Sequence, residues 1–191
     1  MSSDPPLRLR DLDSPRRRGE NGDYAEKSQG FFSALPPRPP LLRGESAATL
    51  KFRRPLKDLR PRALTLFARK LQREVAGGHA FDCLITGDTE MRRLNRHFRG
   101  QDHATDVLSF PAISQAGSHL GDLAISIQRA RAQARQFGHT PEEEVRILML
   151  HGLLHLLGMD HENGDGRMER AERRWRARLD LSCGLIERVQ P

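Results

Sequence analysis

From Val145 to Leu157 the run VRILMLHGLLHLL is apolar around nearly every face of a helix, and no other stretch constrains the fold as much. A helix with no polar side must be enclosed by protein, so the remaining elements have to supply layers around it. Its start is marked: Thr140 suits the cap, Pro141 the first helical position, and Glu143 the place from which a capping-box carboxylate reaches back. Glu142, Glu143 and Glu144 favour the positive end of the helix dipole.

Within this apolar background stand His151 and His155, four residues apart and so one turn apart on a single face, close enough to share a metal ion. Gly158 can take the left-handed conformation that ends a helix, which lets the chain turn back and bring His161 to the same spot. The set His151, His155 and His161 therefore reads as one zinc site per chain. Three imidazoles leave a fourth tetrahedral position open, as in a catalytic zinc site, and hydrolysis is the natural reaction class. The spacing also occurs in a large group of zinc peptidases, where glutamate follows the first histidine as general base. Here that residue is Gly152, which cannot accept a proton.

The elements before and after this helix read in turn as follows. Thr49 to Arg53 alternates as a short strand ahead of Pro55. Residues 56–75 have a helical period, with Leu59, Ala63, Leu66, Phe67 and Leu71 on the apolar face. Phe81 to Thr86 reads as a strand, and Asp88 as the cap of a helix burying Met91, Leu94 and Phe98. The other side of that helix carries Arg92, Arg96 and Arg99, a basic stripe able to follow a phosphate backbone. Thr105 to Phe110 is a strand ended by Pro111, and Gly121 to Ser126 another. A helix with Ile127, Ala130, Ala134 and Phe137 on one face follows, and a last helix lines up Met168, Ala171, Trp175 and Leu179. This order predicts an α+β fold: a small sheet with helices packed on it and the metal helix against the sheet.

Residues 1–47, rich in Pro, Arg, Gly, Ser and Asp and including LPPRPP, read as a disordered tail, leaving residues 48–191 as the domain. The charge of +7 is carried mostly by the compact part, where 24 basic face 18 acidic residues after position 50, a balance compatible with a polyanionic partner. Cys83 and Cys183 are the only cysteines and form no metal motif, which fits a reducing cytosol. No apolar run approaches the ~20 residues of a membrane span, so no membrane partner and a cytoplasmic location are expected.

Four motifs in one order carry a resemblance: LNRHFRG ending at Gly100, TDVLSFP from Thr105, GDLAIS from Gly121 and HGLLHLLGMDH from His151. Over about residues 48–180 the chain resembles the YbeY family of bacterial single-strand endoribonucleases. The resemblance implies a zincin-like fold and zinc on His151, His155 and His161. It also implies a role in ribosomal RNA maturation, notably at the small-subunit 3′ end, and in ribosome quality control, with rRNA and the ribosome or its small subunit as partners. It further implies catalytic roles for Arg99, which matches the arginine ending the family's LNxxFR motif, and for His151. Asp106 and Asp160 are candidates for orienting the histidines, with Asp122 and Ser109 behind them. Met159 departs from the family, which usually has an aromatic residue there. Two other readings remain open on the sequence: a ribosome-associated RNA-binding factor with structural zinc, and a zinc metallopeptidase.

Overall fold

The computed structural model describes residues 47–53, 57–112, 118–159 and 166–182. Among them are four strands, β1 (Thr49–Phe52), β2 (Ala80–Thr86), β3 (Val107–Pro111) and β4 (His119–Ser126). Five helices accompany them: α1 (Pro61–Glu74), α2 (Asp88–Arg99), α3 (Ile127–Phe137), α4 (Pro141–Leu156) and α5 (Arg167–Leu179). The fold is α+β. The predicted tail lies outside the described residues except for Ala47.

The strands form one mixed sheet in the order β1-β2-β4-β3, with β1, β2 and β4 parallel and β3 antiparallel to β4. Alternation along the strands divides the core between the two faces of the sheet. Phe81, Cys83, Ile85, Leu123 and Ile125 face α1, α4 and α5 in the larger cluster, while Leu108, Phe110 and Ala124 meet Met91, Leu94 and Phe98 of α2. Phe98 and Phe110 pack edge-on at 5.0 Å between centroids. The sheet therefore separates α2 from the histidine helix.

Helix α4 is enclosed as its composition requires: Val145, Ile147 to Leu154 and Leu156 are all buried, against β3, β4, α1, α3 and α5. Thr140 caps it by accepting from the Glu143 amide at 3.2 Å. The Glu143 carboxylate accepts from the Ser182 amide rather than closing a capping box with Thr140. Gly158 has φ +83° and turns the chain out of the helix.

Several boundaries differ from expectation for local reasons. Helix α1 starts at Pro61, the favoured first position for proline, and buries Leu64, Phe67, Ala68 and Leu71 at i, i+3, i+4 and i+7, leaving Leu66 56% exposed. Gly87 occupies the N-cap of α2, and Asp88 instead accepts a hydrogen bond from Ser126 Oγ. Pro111 lies within β3 rather than after it. Ala112 donates to Leu120, so the Pro111 nitrogen points away from β4 to the open sheet edge, where a missing N–H costs nothing. Phe137 stands outside the α3 core face and stacks on His139. The predicted face of α5 is buried in full, together with Glu172 and Arg176.

Candidate metal centre

The C-terminal half of α4 carries the site. His151 is 8% exposed and His155 half-buried, and their Nε2 atoms lie 3.2 Å apart with the rings edge-on. Two nitrogens bound at 2.0–2.1 Å to one tetrahedral zinc sit about 3.3 Å apart, so the spacing of this pair already suits a shared ion. Behind His151, Glu172 of α5 brings Oε2 to 3.4 Å from Nδ1, leaving Nε2 directed at His155. Glu172 is 2% exposed. The sequence reading did not single it out, although a carboxylate between Met168, Ala171 and Trp175 on an apolar stripe signals a buried acid that needs a partner. Asp160 and His161 lie outside the described residues. Met159, half-buried, packs against the main core.

Gly152 faces the sheet. A Cβ there would lie 2.9 Å from Leu123 Cδ2, 3.1 Å from Val107 Cγ2 and 3.2 Å from Ser109 Oγ, and Ser109 donates to the Gly152 carbonyl at 3.1 Å. The position that holds the general base in zinc peptidases is thus a seat for the helix on β3 and β4, with no room for a glutamate. Ser109 acts in this seat.

Asp106 is drawn elsewhere. Its carboxylate accepts from Thr105 Oγ1, the Val107 amide and Gln133 Nε2 at 2.8 to 3.0 Å, which ties the start of β3 to α3 and leaves no contact with the histidines among the described residues. The arginine stripe is also divided. Arg92 makes a two-pronged pair with Asp102 and Arg96 approaches the same carboxylate at 3.7 Å, both on the side of the sheet away from α4. Arg92 holds the Asp102 carboxyl below its usual range, first through the hydrogen bond and then through charge. Arg99, next to the left-handed Gly100 at the end of α2, is exposed and makes no ion pair among the described residues.

A second group, not anticipated as a set, lies on β2 and β4. Asp82 and Asp122 are register partners, and His119 Nε2 lies 3.8 Å from Asp122. The ligand atoms of Asp82, His119 and Asp122 lie within 4.8 Å of one another, so this group could hold a metal ion. It shares no residue with the histidine helix. Burial, first, and the charges of Asp82 and Asp122 push the enclosed Cys83 thiol well above the usual thiol range, which leaves it an inert core side chain.

Comparison with known proteins agrees with the motif order. The profile of the family described as Endoribonuclease YbeY matches residues 48–180. A Solibacter usitatus protein named Endoribonuclease YbeY is 64% identical over 143 residues, covering 75% of this chain and 95% of its own length. One of the same name from Koribacter versatilis is 46% identical over 127 residues, covering 66% and 82%. The solution structure of a Thermotoga maritima protein aligns with a TM-score of 0.48 at 28% identity, over 66% of this chain and 85% of its own. The chain belongs to the YbeY family of endoribonucleases.

Proposed function

We propose that this chain is a zinc-dependent endoribonuclease that cuts single-stranded RNA in ribosomal RNA maturation, notably at the small-subunit 3′ end, and in ribosome quality control. Family membership supports the RNA-hydrolase class. The observation that carries the metal reading is the pair of Nε2 atoms 3.2 Å apart on a helix enclosed by core. His151 and His155 would hold the ion with His161, in a zincin-like arrangement. When bound, zinc would supply a Lewis acid that acidifies water and polarises a phosphoryl oxygen.

The chain's own residues have separate tasks in this reading. The rigid α4 keeps His151 and His155 in register, and the buried wall around His151 excludes bulk water. Arg99, exposed and without an ion-pair partner among the described residues, would hold a non-bridging oxygen of the scissile phosphate and offset its growing charge. Arg92 and Arg96 would contribute at most to the wider electrostatic field, because Asp102 already engages both. Within the domain of residues 48–191, α4 is held by apolar contacts on all sides, which favours a catalytic over a structural metal. The crowding at Gly152 disfavours the peptidase. Among the described residues no helix is long and apolar enough to cross a membrane, and a cytoplasmic location on the ribosome or its small subunit fits an rRNA substrate.

The test is cleavage of labelled single-stranded RNA by protein of measured zinc content, with His155→Ala and Arg99→Ala variants and a casein digest alongside. Cleavage by the parent protein, lost in both folded variants with casein intact, is expected. RNA bound but uncut by the parent protein would move the assignment to a binding factor, and cut casein would move it to a peptidase.

A further inference from the structure

Resting on that zinc site, we infer that Glu172 is a positioning residue for His151, fixing its tautomer and orientation and so setting how tightly the α4 histidines hold the ion. The two oxygens of an ionised carboxylate only accept hydrogen bonds. Glu172 Oε2 lies 3.4 Å from His151 Nδ1, so an Nδ1 proton would meet an acceptor there and leave the Nε2 lone pair facing His155 Nε2 at 3.2 Å. The opposite tautomer would put a proton between the two Nε2 atoms, which a cation would have to displace before both nitrogens could bind it.

Burial makes this arrangement specific. Glu172 and His151 are 2% and 8% exposed, so solvent does little to screen the carboxylate from the ring. Glu172 also comes from a different element: it projects from the buried face of α5, where Met168, Ala171, Trp175 and Leu179 dock the helix on the main core. Packing of α5 therefore sets the direction of a ring on α4. The carboxylates expected to do this were Asp106, which is engaged by Thr105, Val107 and Gln133, and Asp160, outside the described residues.

A positioning role separates two quantities that a purely structural role would move together. Removing one partner of a buried polar pair costs fold stability, and loss of a ligand's hydrogen-bond partner weakens metal binding, by roughly 10–100-fold, beyond whatever the metal-free fold loses. The experiment uses the full chain as Glu172→Leu and Glu172→Gln, with Asp106→Asn as control. Zn2+ affinity is read by competition with a chromogenic chelator, site geometry by the absorption bands of the Co2+ form, and fold stability by urea unfolding of the metal-free proteins. The Leu variant is expected to bind Zn2+ roughly 10–100-fold more weakly with altered Co2+ bands, a drop larger than its loss of metal-free stability accounts for. The Gln variant, which keeps an acceptor oxygen and is near-isosteric should Leu fail to fold, is expected to fall between Leu and the parent, and the Asp106→Asn protein to match the parent. Parent-like affinity and Co2+ bands in both Glu172 variants, or affinity falling only in step with metal-free stability, would overturn the inference while leaving the zinc site intact. A parent protein that binds no Zn2+ would overturn the zinc site and the inference together.

Discussion

Replacing Gly152 with alanine tests whether the histidine helix is seated on the sheet as described. On an isolated helix the change should stabilise by about 1 kcal/mol, because glycine is the poorer helix former. In this structure the new methyl carbon would lie 2.9 Å from Leu123 Cδ2, 3.1 Å from Val107 Cγ2 and 3.2 Å from Ser109 Oγ, against an optimal carbon–carbon separation of about 3.5–4.0 Å. Leu123 is fully buried and cannot swing into solvent. Overpacking of this kind costs about 1–3 kcal/mol, so the net effect is a destabilisation of up to about 2 kcal/mol. For a domain of this size each kcal/mol lowers the thermal midpoint by roughly 3–5 °C. Urea and thermal unfolding followed by circular dichroism would measure it. Adding Val107→Ala should relieve part of the clash, with a coupling of about 0.5–1 kcal/mol in the double-mutant cycle. An alanine variant more stable than the parent by about 1 kcal/mol would refute the seating, and with it the reason that position 152 cannot hold a glutamate base.

Other outcomes follow from the same geometry. Gly121→Ala should destabilise by about 2–5 kcal/mol, since φ is +137° and the new Cβ would fall 2.2 Å from the Phe110 carbonyl oxygen; parent-like urea unfolding would contradict the β3–β4 register. Ser126→Ala removes both the α3 cap and the donor to Asp88, and should cost about 1–2 kcal/mol by urea unfolding. The Glu142 carboxyl is held below its ordinary value of 4.5, first by the hydrogen bond from Arg60, with the nearby Arg146 adding to it. Because the folded-state value is the lower one, this stabilisation is complete above the ordinary value and lost as pH falls through the depressed one. Glu142→Gln should therefore flatten the acid limb of a stability–pH curve below about 4.5, and an unchanged limb would exclude the pair as a contributor. Arg92→Ala should reduce RNA affinity and its salt slope less than Arg99→Ala, measured by titration at two salt concentrations, since Arg92 already has Asp102 as its partner.

The parts of this protein legible in the sequence are those set by neighbouring residues. The cap at Thr140, the all-round burial of α4, the left-handed Gly158 and the histidines one turn apart each follow from local propensity and helical period. The same holds for the core faces of α2 and α5. Failures occur where two local signals compete: Asp88 reads as a cap until Ser126 claims its carboxylate, and Pro111 reads as a strand end until the edge position accommodates it. Tertiary structure alone decided the rest. The strand order β1-β2-β4-β3 goes with α2 and α4 on opposite faces of the sheet, and Asp102 engages Arg92 and Arg96 of an arginine stripe that is continuous in sequence, leaving Arg99 at its end outside that pairing. Glu172 reaches His151 from 21 residues away, and Asp82 meets Asp122 across paired strands. A sequence specifies which groups cannot stay unpaired when buried; only the packing of distant elements selects the partners, because contact energies between them depend on distances that no local pattern encodes.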